Sequence, residues 1–195
     1  MLEENIIAAP ELRISEWINT EQNIQLDDLT GQVVAIIAFQ MLCPGCVSHS
    51  LPQAKKMFDL FRHKNFKLIG LHCVFEHHKA MQVNALKAFI HEYRIPFPIG
   101  IDQASSAEAV PLSMKKFKLR GTPSLILIDK KGNIRLNYFG RIDDMHLGSM
   151  LAELLCEESP LIDNALHSNT IQSKSENPDS SGYNDEHCND EHCAI

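Results

Sequence analysis

The sequence has no apolar run near the roughly 20 residues that a helix needs to cross a bilayer. Its first thirty residues hold Glu3, Glu4, Pro10 and Glu11, and no apolar stretch of signal-peptide length. Basic residues are in the minority, 18 Lys and Arg against 25 Asp and Glu, and they form no stripe of the kind a nucleic-acid surface requires. These absences predict a soluble cytoplasmic protein that engages neither membrane nor nucleic acid. The six cysteines lack the spacing of a disulfide framework. Cys43 and Cys46 stand together, Cys73 and Cys156 alone, and Cys188 and Cys193 near the end. In a reducing compartment that pattern reads as redox or metal chemistry rather than structural staples.

What is present divides the chain in two. With 44% apolar residues, the 195-residue chain can bury one sizeable core, expected over residues 1–159. Residues 160–195 hold seven acids against the single base Lys174, and so account for −6 of the formal net charge of −7. Their Ser, Asn, Asp and Gly content predicts a disordered acidic tail. That tail contains a duplication, Asn184-Asp185-Glu186-His187-Cys188 followed by Asn189-Asp190-Glu191-His192-Cys193. Its His187, Cys188, His192 and Cys193 are borderline and soft ligands that would suit zinc or copper, although their spacing is tighter than that of a zinc finger.

Within the body, one stretch organises the rest. The run Val33-Val34-Ala35-Ile36-Ile37-Ala38 is rich in β-branched residues and about as long as a strand buried on both faces. It leads into Phe39-Gln40-Met41-Leu42-Cys43-Pro44-Gly45-Cys46, after which Val47, Leu51, Ala54, Met57, Phe58 and Phe61 recur at helical intervals. A Cys-x-x-Cys pair at a strand-to-helix junction faces unpaired backbone N–H groups and the positive end of the helix dipole, which favour thiolate at Cys43. Cys46 lies within reach to form and release a disulfide.

Residues 1–9 read as a loose lead-in, residues 12–18 as a short strand and Leu26 to Gly31 as a helical turn ended by glycine. A second strand follows at 66–74, a helix at 79–93, a proline-confined extended segment at 96–102 and a brief helix at 112–118. The break Gly121-Thr122-Pro123 precedes a strand at 124–129, a turn at Lys130-Lys131-Gly132-Asn133, a partner strand to Phe139 and a helix from Met145 to Cys156. The order βαβαβ, then hairpin and helix, predicts an α/β sandwich with a parallel and an antiparallel half.

Over residues 10 to about 156 the sequence resembles the thioredoxin superfamily, in its TlpA/ResA-like redoxin (AhpC/TSA-type) branch. Cys43-Pro44-Gly45-Cys46 resembles the redox site, Gly121-Thr122-Pro123 the cis-proline loop, and Asp129 to Asn133 the terminal hairpin. The resemblance implies a thioredoxin-like three-layer α/β/α sandwich with a mixed central sheet and a thiol–disulfide oxidoreductase that requires no cofactor. Protein or low-molecular-weight disulfides would be its substrates, and a separate reductant would recycle it. Cys43 would attack the substrate disulfide and Cys46 would resolve the mixed disulfide. Gln40, Leu42, Pro44 and Gly45 would shape the entrance, with Thr122 and a cis Pro123 opposite. Glu76 resembles the glutamate of ResA-like proteins and would take the proton from Cys46.

The sequence departs from the family in places. Leu42 stands where tryptophan is usual, and Ala38 where thioredoxins keep a buried acid. A peroxiredoxin-like peroxidase is the enzymatic alternative, but Gln40 stands three residues before Cys43, where that motif has Thr or Ser. His49 reads as a surface helix residue, and the cluster His72, Cys73, Glu76, His77, His78 as structural, because neighbours on a strand point to opposite faces.

Overall fold

A computed structural model describes residues 7–159 of the chain. The tail boundary at 160 and the ligand set His187, Cys188, His192 and Cys193 lie outside the described residues.

Seven strands form one sheet: β1 (Ile7–Ala8), β2 (Ile14–Ile18), β3 (Val33–Phe39), β4 (Phe66–His72), β5 (Ile99–Asp102), β6 (Ser124–Ile128) and β7 (Asn133–Phe139). Their spatial order is β1-β7-β6-β3-β4-β5-β2. β3, β4 and β5 run parallel, while β6, β7, β1 and β2 join antiparallel, so the sheet is mixed. Every residue of β3 is buried, as expected for the sheet's central strand covered on both faces.

The alternation along β3 sorts its side chains into two cores. Val33, Ala35, Ile37 and Phe39 pack with α1 (Leu51–Phe61), α2 (Val83–Glu92) and α4 (Asp144–Cys156) through Leu51, Leu86 and Leu151. Val34, Ile36 and Ala38 face the other way, onto Met114 of α3 (Leu112–Lys116), Phe117, Leu12 and Ile24. Helices on both faces of a mixed sheet make the three-layer α/β/α arrangement. Among the described residues, no helix is long and apolar enough to cross a membrane.

Two elements differ from the sequence reading. The lead-in contains β1, whose Ile7 and Ala8 pair with Ile134 and Asn133, an edge contact that two residues cannot announce by periodicity. The helix expected at 79–93 starts at Val83. His77 takes a positive φ of 49°, and its carbonyl accepts from the N–H groups of Ala80 and Met81, closing a separate turn ahead of the helix.

Candidate active site

β3 delivers the motif to the C-terminal edge of the sheet, where its parallel neighbours also end. The chain turns at Met41 and Leu42, and the Cys43 N–H donates to the Gln40 carbonyl at 3.3 Å. The N–H groups of Cys46 and Val47 then both donate to the Cys43 carbonyl at 3.1 Å. Residues Cys46–Ser50 form a π-helical segment, in which the Leu51 N–H donates back to the Cys46 carbonyl, before α1 takes over. Single π turns of this kind recur at functional sites.

The two sulfurs differ in access. Cys43 is half-buried, and its Sγ receives a hydrogen bond from the Cys46 N–H at 3.3 Å. The same thiol donates to the Thr122 carbonyl at 3.4 Å. Cys46 is fully buried, and burial, reinforced by its hydrogen bond with Cys43, pushes its thiol up to about 12.

The opposite wall is the loop before β6. Its Thr122–Pro123 bond is cis. The loop is pinned on both sides, by Ser124 Oγ donating to the Gly121 carbonyl at 2.8 Å and by the Gly140 N–H donating to the Pro123 carbonyl at 2.9 Å. The motif packs closely on this wall at Gly45, where a Cβ would come within 3.3 Å of Pro123 Cδ and the proline ring would have to give by a few tenths of an ångström. Gly121 is hemmed in more tightly, since its Cβ would fall 2.8 Å from Cε2 of Phe139.

Thus Cys43, Pro44, Gly45, Cys46, Thr122 and Pro123 come together around one thiol. Leu42 stands beside them, 56% exposed, as an apolar lip. Gln40, expected at the entrance, is instead 1% exposed and supports the turn from beneath, its Nε2 without a partner among the described residues. Glu76 is exposed on the loop after β4, and no hydrogen bond or ion pair among the described residues involves it. The groups that set the ionisation of Cys46 are burial, Cys43, the Gln40 backbone and Thr122, and Glu76 is not among them.

Sequence reasoning passed over a second polar cluster at the same sheet edge. Cys73 follows β4 fully buried, with its Sγ 3.6 Å from Oδ2 of Asp102 at the end of β5. The Asp102 carboxylate also accepts the N–H groups of Ser113 and Met114 at 2.7 and 2.8 Å, which anchors α3. Burial raises both the Cys73 thiol and the Asp102 carboxyl. His72 points to the other face, against the Phe39 ring at 5.3 Å, with neither ring nitrogen partnered among the described residues. Burial lowers its pKa to about 4, so it is neutral. The described residues contain no group of three or more His, Cys, Asp or Glu able to hold a metal.

Comparison with known proteins agrees with this geometry. A thioredoxin-like superfamily protein of known structure is 49% identical, with a TM-score of 0.77 over 79% of this chain and 99% of its own. A thiol-disulfide isomerase from Corynebacterium glutamicum is 47% identical, with a TM-score of 0.73 over 77% of this chain and 98% of its own. At 20% identity, a thioredoxin-like protein in its oxidised form shares the fold, with a TM-score of 0.65 over 79% of this chain and 98% of its own. None of the curated proteins compared matches the chain. The sequence pattern of the AhpC/TSA family matches residues 8–137, two-thirds of the chain and all seven strands but for Ile7 of β1 and the last two residues of β7, and the protein belongs to that family.

Proposed function

We propose that the protein is a dithiol–disulfide exchange enzyme whose Cys43 attacks a substrate disulfide and whose Cys46 resolves the resulting mixed disulfide. The observation that carries this reading is the pairing of one accessible sulfur with one sealed sulfur three residues on, the Cys46 N–H lying 3.3 Å from Cys43 Sγ. As the Cys43 sulfur attacks, the amide and the adjacent helix start favour the negative charge on it. Cys46, kept as a thiol, does not compete for substrate. It acts when the mixed disulfide places a sulfur beside it.

The exposed Leu42 and the free face of the Thr122–Pro123 loop suit an extended peptide carrying a disulfide, and low-molecular-weight disulfides would fit the same opening. A reducing, cytoplasmic setting and a separate recycling reductant belong to the proposal, supported by cysteine spacing that reads as redox chemistry. The test is reduction of insulin disulfides. Cys43→Ser should abolish it, and Cys46→Ser should accumulate mixed disulfides detectable by mass spectrometry. Wild-type rates in Cys43→Ser would overturn the proposal. Stoichiometric peroxide consumption without disulfide reduction would favour the family's peroxidase chemistry instead.

For His187, Cys188, His192 and Cys193 the proposal remains zinc or copper capture. Calorimetry should give micromolar or tighter binding of roughly one Zn²⁺, lost when the two cysteines are replaced by serine. Absence of heat with the intact chain would end that reading.

A further inference from the structure

Beside Pro123 opens a cleft of about 120 Å³ that the exchange mechanism does not use. Lys56, Arg141 and His49 line it, with Asp144 as its one carboxylate. That carboxylate is already engaged, by Lys56 Nζ at 3.0 Å and Gln53 Nε2 at 2.6 Å. Arg141 is exposed and has no hydrogen-bond or ion-pair partner among the described residues. The cleft therefore carries a surplus of positive charge. Its floor includes Ser50, 8% exposed, whose Oγ has no partner among the described residues. That hydroxyl is sealed beneath the cleft surface, so an incoming segment would meet the charged side chains of the rim.

The chain supplies a segment of matching charge. Each repeat of 184–193 places Asp-Glu-His directly before a cysteine, within a tail of net charge −6. Reach is no obstacle. Ser159 lies at the far end of α4 from the site, about 20 Å along a helix of this length, and 29 residues separate it from Cys188. That many residues can span up to about 95 Å. We propose that this cleft receives the acidic repeat of the chain's own segment 184–193, presenting Cys188 or Cys193 to Cys43 for intramolecular exchange. The inference rests on the exchange chemistry proposed above.

The step balances without an outside reagent. The Cys43 thiolate attacks one sulfur of a Cys188–Cys193 disulfide, and a Cys43–tail bond forms as the tail S–S bond breaks. The departing tail sulfur takes up the proton that Cys43 gave up. Cys46 then displaces the remaining tail sulfur, with its own proton passing to that sulfur. Two electrons have moved, leaving the tail as dithiol and Cys43–Cys46 as disulfide. The reverse sequence carries a disulfide from the site to the tail.

The test uses the full-length chain with Cys46→Ser, Cys156→Ser and Cys193→Ser, held in a glutathione redox buffer with a chelator to keep zinc off the tail. A parallel variant keeps Cys193 and replaces Cys188. The fraction of internal Cys43–tail disulfide gives the effective concentration of the tail thiol. A tether alone yields about 1 mM, and docking should exceed that. Adding Arg141→Glu, an exposed position, or raising the salt to 1 M should lower it about tenfold. An internal disulfide insensitive to both changes, or none at all, would overturn the inference. Insulin reduction by the Cys156→Ser protein, with Cys43 and Cys46 intact, separates the two claims. Activity there alongside a failed docking test removes the tail alone, and no activity removes both.

Discussion

β3 and β4 lie side by side and in parallel, and each is followed closely by cysteine, yet the two ends are chemically opposite. After β3 the chain turns outward, so Cys43 is half-exposed beside an N–H group and a carbonyl that are held in place from both sides. After β4 the chain continues inward, so Cys73 is sealed against Asp102. A thiol in an apolar setting beside a carboxyl is held neutral and stays inert. Reactivity here follows from where the strand stops relative to solvent, since the residue type is the same.

The sharpest way to break this contrast is to exchange the roles of the two ends. Cys43→Ser should remove disulfide reduction entirely, whereas Cys73→Ala should leave its rate unchanged. A large loss of activity in Cys73→Ala with the fold intact would show that the buried thiol takes part. The next effect concerns Cys46. Its burial holds the thiol above its ordinary value, so only a small thiolate fraction resolves mixed disulfides at neutral pH. Stopped-flow release of a trapped substrate should therefore quicken about tenfold per pH unit between roughly pH 7 and 10. A flat profile would mean that another group removes the proton.

Smaller effects fall on stability. His72 is buried neutral, with a folded value of about 4 against an ordinary 6.5. As pH falls below 6.5 the unfolded chain takes up the proton first, so stability is full above that value and drains away down to about 4. That interval corresponds to roughly 3 kcal/mol. Denaturant melts of His72→Leu should lack this part of the acid slope, and an unchanged slope would place the titration elsewhere. Cys73→Ala should cost about 1–3 kcal/mol in the same melts, through the space it leaves and the lost contact with Asp102.

Much of this was legible in the residues. The apolar run 33–38 has the length and β-branched content of a covered strand, and the helical spacing from Val47 placed Cys43-Pro44-Gly45-Cys46 at a junction. Thr122-Pro123, 77 residues after Cys46 and ahead of another apolar run, supplied the facing wall. Less legible were features that depend on which side of a turn a residue falls. Gln40 continues the alternation of β3 into the interior, so a polar residue two places after Ala38 is buried rather than set at the entrance. Glu76 comes after the strand has ended and the backbone has bent, and there periodicity carries no direction. The contact of Cys73 with Asp102 joins residues 29 apart through the lateral order of β4 and β5, which spacing along one segment cannot reveal. Arg141 and Lys56 meet at one cleft only because α1 and α4 share a face.

The π-helical turn at Cys46–Ser50 fits one more residue into a loop of backbone than an ordinary helix would hold. Each residue of a regular helix advances the chain by about 100°. Everything ahead of the turn is thus rotated by nearly a third of a revolution relative to the body of α1. Shortening it by one residue would repair the helix and, in doing so, swing the motif away from its facing loop. The irregularity acts as a rotational offset, aiming the two sulfurs with a helix whose remaining length is free to follow the demands of packing alone.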